Sequence, residues 1–366
     1  MKTAFLLVFL AVTTIAMAQK PEASPVVWGD STASGGQIVR WSKGAVTDLT
    51  PLGQTWRLWG ARLLPATKGS KAPVELWGAV KVPQGWKIWK TLLEPEATHL
   101  RPHPQPRVFD DLVAMESSGA YTALVTDNAQ GPQLFVVSSQ GTREWAWGPN
   151  VTLTGVAVRP DGQVATVGYR QNGSGWLNAQ PFLWVNGNQV PAPEGWRGLL
   201  NNVLAGPKGF QAVGRGGPGT QEPVQTLWFD QGHWLTLKLP SDGNFAEFLG
   251  VLTPAQKPTK TKSPQAASDL QPILFGALAK RDPQHQGRLQ PWRWQKGKVS
   301  FWDTGLQLLA YGPASFGTSA WVCAEFQTEQ GPEWRLWDGV GHGTPLKGWP
   351  QHAVPRALTL NEPTPH

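Results

Sequence analysis

An aromatic residue followed by a short glycine turn returns at nearly constant spacing along this chain, and fixed-period self-similarity restricts a fold more than any local propensity does. The anchor is Trp41 in IVRWSKG, Trp184 in PFLWVNG, Trp228 in QTLWFDQG, Trp294 in PWRWQKG and Trp337 in WRLWDG, with weaker versions at Trp89 in WKIWK and Phe135 in QLFVVSSQG. Successive separations are 48, 46, 49, 44, 66 and 43 residues. The long interval contains residues 253–271 (TPAQKPTKTKSPQAASDLQ), a tract with too little apolar area to offset the entropy of ordering it. It reads as a mobile surface insertion, and without it the period survives as seven units.

The fullest copy covers residues 164–190, VATVGYRQNGSGWLNAQPFLWVNGNQV. Its two apolar runs are rich in β-branched and aromatic residues, and the second closes on Asn186-Gly187, a hairpin signal because both central turn positions need positive φ. Between anchors, residues 112–126, 155–168, 204–214 and 310–324 each give a strand, a glycine or small-residue turn and a second strand. Each unit is therefore an inner hairpin followed by an outer pair that carries the aromatic anchor. Four strands in a unit of this length match one propeller blade, so the expected fold is all-β: a propeller of seven four-stranded blades. Orphan strands at residues 26–30 and 353–360 are expected to pair and close the ring, which removes exposed sheet edges. The second unit (residues 56–59, 74–80 and 86–89) allows another parse, leaving six or eight blades open.

Residues 1–18 have the form of a secretory signal: Lys2, an apolar core over residues 5–15, and Ala16-Met17-Ala18 as the cleavage site. The remainder, residues 19–366, is expected to form one domain outside the cytoplasm. No later stretch is long and apolar enough to span a bilayer, so no membrane insertion is expected. Cys323 is the only cysteine, which excludes an internal disulfide and reads as a buried, inert thiol. Glycine (41) and proline (33) supply turns, while 21 tryptophans exceed what a disordered chain would hold. The formal charge of +7 is scattered, which suits a soluble monomer and argues against nucleic acid as a partner.

The phrases QPFLWVNG, GQIVRWSKGAVTDLTPLG and LLNNVLAGPKGFQAVGR resemble the bacterial extracellular HAF repeats. Those units look like an Asn-containing turn, a "GQVVG" strand and "HAFLW..G...DLG". The His-Ala-Phe triplet is missing throughout, and only the first unit keeps Asp48-Leu49 after its turn. The resemblance implies a propeller-like fold in a secreted or surface protein and carries no catalytic residue over.

The anchor tryptophans, one per unit, are expected to pack between blades. Trp86, Trp145, Trp147, Trp196, Trp234 and Trp349 fall outside that register and are better candidates for ligand contact. No histidine or cysteine cluster has metal-ligand spacing; His99 and His103 are separated by proline, which forbids the helix that would align them. No metal and no cofactor is expected. Asp110-Asp111 precede a predicted innermost strand, and Asn201, Asn202, Glu247 and Arg356 occupy comparable places in other units. With Trp196, these are the candidate ligand-binding residues. The expected function is a non-enzymatic secreted scaffold for an envelope glycan or surface protein. The alternative is a polysaccharide hydrolase or lyase using Asp110, Asp111 and Glu247 at the channel mouth.

Overall fold

The computed structural model describes residues 24–31, 36–51, 54–65, 72–94, 97–173, 178–206, 208–218, 225–237, 243–252, 273–280, 289–295, 298–301, 306–316, 320–338 and 343–361. The predicted signal (1–18) and the predicted insertion (253–271) lie outside them. Every named element is a β-strand. Blade 1 opens with β1 (Ser24–Ser31), β2 (Gln37–Ser42) and β3 (Ala45–Asp48), and blade 2 holds β4 (Trp56–Leu63), β5 (Val74–Val82) and β6 (Gly85–Leu93). Blade 3 contains β7 (Asp111–Ser118), β8 (Tyr121–Asp127), β9 (Gln133–Ser138) and β10 (Gly141–Ala146). Blade 4 contains β11 (Val151–Val158), β12 (Val164–Gln171), β13 (Ala179–Val185) and β14 (Asn188–Val190). Blade 5 contains β15 (Trp196–Gly206), β16 (Gly209–Pro218), β17 (Gln225–Asp230) and β18 (His233–Leu237). Blade 6 contains β19 (Gly243–Leu252), β20 (Ile273–Lys280), β21 (Leu289–Gln295) and β22 (Lys298–Phe301). Blade 7 contains β23 (Gln307–Phe316), β24 (Ala320–Thr328), β25 (Gly331–Trp337) and β26 (Thr344–Pro345).

The chain finishes on β27 (Ala353–Asn361), which pairs antiparallel with β1 and gives blade 1 the order β27-β1-β2-β3. The expected closure therefore forms. Trp28 Nε1 donates to Thr359 Oγ1 across this seam at 2.9 Å, and both residues are buried. The first strands of the blades, with β27 standing first in blade 1, touch their neighbours in ring order: β27, β4, β7, β11, β15, β19, β23 and back to β27.

Six sheets have four strands, and blade 2 has three. In place of a fourth strand, residues 101–109 (RPHPQPRVF) run beside β6, where Phe109 exchanges two backbone bonds with Trp86 and Gln105 N–H donates to Ile88 O. Three prolines in that segment remove the donors a regular ladder requires. The expectation of four strands in every blade is corrected there.

The apolar core is divided among the interfaces between blades. Trp28, Ile38 and Leu49 of blade 1 pack with Trp56, Leu76 and Trp89 of blade 2. Leu134 and Val136 of blade 3 meet Phe182 and Trp184 of blade 4, and the other described seams repeat the plan. All the anchors lie on the third strand of their blade. In blades 1, 4 and 5 the next hairpin turn has two consecutive residues at positive φ: Lys43-Gly44, Asn186-Gly187 and Gln231-Gly232. Blade 5 departs in one respect. Phe229 fills the seam toward blade 4, whereas Trp228 faces blade 6 and meets Trp294 edge-on at 5.8 Å. Counted back from its turn, Phe229 is the residue in register with Trp41 and Trp184; a one-residue slip along a strand reverses the face.

Candidate functional site

Each inner strand carries a β-bulge at the same level. At this level the pairing skips one residue in each blade, Trp59, Val113, Thr154, Asn201, Leu249, Leu309 and Arg356, and the inner strands of blades 6 and 7 each have a further irregularity, at Gly243/Ala246 and Tyr311/Ala314. A bulge takes its extra residue out of the ladder and re-aims it. In five blades the residue just before the bulge lies opposite a glycine: Gly29, Gly78, Gly168, Gly214 or Gly276. The backbones approach so closely that a Cβ on Gly168 would stand 1.8 Å from Thr152 O, and one on Gly214 2.0 Å from Leu199 O. The recurrent strand-ending glycine of the sequence is thus required for space beside the bulge.

Seven bulges at one level ring the central channel. Among the described side chains of this ring, Val113 and Leu309 are the exposed hydrophobics, at 41% and 37%. Two residues earlier on each inner strand is a second tier comprising Arg57, Asp111, Thr152, Leu199, Glu247, Gln307 and Val354. Several channel residues also join adjacent blades. Arg356 Nε donates to Asp30 Oδ1 at 2.8 Å, and Asp30 Oδ2 accepts Leu58 N–H at 3.1 Å. Asp30 is buried, and this pairing compensates its charge. Thr154 Oγ1 donates to Leu200 O of blade 5 at 2.7 Å.

The residues singled out from sequence occupy different levels. Asn201 and Arg356 belong to the bulge ring, while Asp111 and Glu247 belong to the tier before it. Asp110 lies just outside β7 and is exposed. The anticipated equivalence of these positions is corrected by the extra residue in each strand, which offsets the count. Asp111 and Glu247 stand on blades 3 and 6, with the inner strands of blades 4 and 5 between them in ring order. The carboxylate directly across from Asp111 is Asp127. Asn202 pairs with Val213, and its Oδ1 accepts Val203 N–H at 2.8 Å. Trp196 begins β15 as a half-buried indole packed edge-on against Trp234 at 6.1 Å. Trp234, in turn, donates Nε1–H to Pro191 O at 2.9 Å.

Charged residues that sequence reasoning did not single out lie in the seam between blades 2 and 3. Glu75 is buried and ion-paired with Arg62 and with Lys90, the latter at 2.7 Å. Arg62 also donates to Ser118 Oγ at 2.9 Å, and Lys90 donates to Gly119 O. Burial raises the Glu116 carboxyl from its ordinary 4.5 to about 7, with Glu75 adding to the rise and Arg62 and the Ser117 N–H opposing it. Burial likewise pushes the Cys323 thiol above its usual range. Among the described residues no cluster of three or more histidine, cysteine or acidic side chains could hold a metal ion. No helix there is long and apolar enough to cross a membrane.

No family model matches the sequence, and no curated protein does. Among solved structures, the β-propeller domain of the Trilobed protease from Pyrococcus furiosus aligns with a TM-score of 0.52 at 11% identity, over 89% of this chain and 95% of that one. The fucose-recognising lectin of Aleuria aurantia, a six-bladed propeller, aligns at 0.39 with 12% identity over 80% of this chain and 98% of its own. The WD40 domain of Toxoplasma gondii coronin aligns at 0.44 with 10% identity over 92% of this chain and 79% of its own. The last two likenesses are too loose to carry an argument. The archaeal domain is described as having an open velcro topology, whereas here the C-terminal strand completes the first blade. What the comparison shows is the fold: this chain is a β-propeller.

Proposed function

We propose that this protein is an extracytoplasmic binding scaffold that receives an envelope glycan or a surface protein at the end of the ring where the inner strands begin. The observation that carries this reading is the bulge ring. It presents an arginine, an asparagine, a threonine, a tryptophan and aliphatic side chains at one level, while the candidate carboxylates lie off that level, Asp110 and Asp111 on blade 3 and Glu247 on blade 6. Diverse side chains fixed around one opening suit recognition, and a hydrolase would need two carboxyl groups converging on one bond. Export is supported by the signal-like residues 1–18, and by the resemblance of the repeat phrases to those of extracellular bacterial proteins.

The test is a glycan array together with an envelope-protein pull-down, run on the full chain, on Val113→Trp, which fills the channel from an exposed position, and on Asp110→Ala/Asp111→Ala. Binding by the parent that Val113→Trp abolishes supports the reading. Polysaccharide cleavage that requires Asp110 or Asp111 would replace it with the hydrolase. A ligand captured equally by all three proteins would place recognition elsewhere on the molecule.

A further inference from the structure

We propose that a second concavity, at the opposite ends of the strands from the inner-strand entrances, binds one neutral sugar ring. It lies between blades 3 and 4, is open to solvent and has a volume of about 310 Å³. Its walls come from β10, from the turn joining β11 to β12, and from the Asn186-Gly187 turn.

Arg143, Asp161, Gln163 and Asn186 are the polar residues lining it, and the side chains of Arg143, Asp161 and Asn186 are each pinned to the backbone through one atom. Arg143 Nη2 donates to Gly162 O at 2.6 Å. Asp161 Oδ1 accepts Gln163 N–H at 3.1 Å, and Asn186 Oδ1 accepts Val164 N–H at 2.7 Å. Asn186 must therefore turn its Nδ2 donor the other way. What remains to be offered is an Nη1 donor from Arg143, Oδ2 of Asp161 as an acceptor with Arg159 Nε at 3.7 Å, and the Nδ2 donor of Asn186. Because the side chains are already anchored, little rotamer entropy is lost when a ligand engages them.

The apolar side of the concavity is Trp145, half-buried, held by an edge contact with Trp184 at 4.9 Å and with Arg143 Cζ over its ring at 5.7 Å, which leaves the rest of the indole surface for a ligand. An aromatic wall facing donor and acceptor groups matches a pyranose, which has apolar C–H faces and a hydroxyl edge able both to donate and to accept. Asp161 is paired with Arg159, and Arg143 is held by Gly162 O, so the site presents both signs of charge. A uronate would confront Asp161 and an amino sugar would confront Arg143, so the ligand class is neutral. The site is independent of the channel reading and stands whether or not the channel binds anything.

The experiment uses the full chain labelled with 5-fluorotryptophan, with the Trp145 fluorine resonance identified by its loss in Trp145→Phe. Glucose, galactose, mannose, fucose and N-acetylglucosamine are titrated separately, beside glucuronate and glucosamine as charged comparators. The expected result is a saturable shift of that resonance by at least one neutral sugar, with Kd on the order of 1 mM for a single-ring ligand. Asp161→Asn keeps an acceptor for the Gln163 turn bond, while it replaces the Oδ2 acceptor by an amide donor and removes the charge that faces Arg159, so its expected loss of about tenfold in affinity reports recognition rather than shape. Asn186→Ala should weaken binding by a similar factor, and Val113→Trp should leave the titration unchanged. The proposal is overturned if no neutral sugar moves the Trp145 resonance, if Asp161→Asn and Asn186→Ala bind as well as the parent, or if Val113→Trp abolishes the response.

Discussion

At the scale of single residues, two groups have costs that follow from their surroundings. Glu116 takes up a proton more readily in the folded protein than in the unfolded chain, because burial penalises its carboxylate. Below about pH 4.5 both states are protonated and the group contributes no difference. Between that value and about 7 the unfolded chain ionises first, so stability falls as pH rises, and above 7 the full penalty persists. Glu116→Gln should therefore raise stability at pH 8 by roughly 2 kcal/mol and have little effect at pH 4, read from urea unfolding at the two pH values. Gly168 has the opposite sensitivity. Gly168→Ala would place a methyl group 1.8 Å from a backbone oxygen that cannot move without opening the bulge. A loss of about 3 kcal/mol or more is expected, against about 0.5 kcal/mol or less for Gly148→Ala, in thermal unfolding of the two variants. At Gly148 the nearest atom to the added methyl is 3.6 Å away.

At the scale of the element, the decisive strand is β27, the last in sequence and the first in its sheet. Its contribution is long-range pairing with β1, and the buried Trp28–Thr359 hydrogen bond fixes that register. Thr359→Val keeps the shape and leaves the indole N–H without its acceptor. It should lower stability by about 1–3 kcal/mol, with hydrogen exchange accelerated in β1 and β27. The hairpin of β19 and β20 makes a different prediction. Leu252 and Ile273 are direct partners, so the ends of the intervening segment are already adjacent. Replacing residues 253–272 with Asn-Gly should leave the unfolding midpoint within about 2 °C of the parent or slightly above it, because a shorter loop costs less entropy to close. Blade 2 marks the limit of the four-strand rule: residues 101–109 have the length for an edge strand and too few backbone donors to act as one.

For the whole molecule, the ring divides its residues into seams, channel and outer turns, and legibility in the sequence follows that division. The order of strands within each repeat was readable, and seven was the leading blade number, because each unit repeats one local pattern, a hairpin, an aromatic anchor and a glycine turn, and because side chains alternate with period 2. The packing role of Trp41, Trp184, Trp294 and Trp337 was readable for the same reason. That Phe229 stands where Trp228 was expected was also available, in the spacing back from Gln231-Gly232. The candidate site was much less legible. Asn201 and Arg356 were named, but the bulge that places them on one level and sets Asp111 and Glu247 on another leaves no mark except the glycine across from it. The seam of Arg62, Glu75, Lys90 and Glu116 joins residues from two blades, and the rim of Arg143, Asp161 and Asn186 does the same. By itself, the sequence determined the repeating unit, because propensity, turn chemistry and hydrophobic period act over a few residues at a time. Only the tertiary structure decided which side chains converge, because the meeting of two blades depends on backbone offsets and interface geometry that no local pattern encodes.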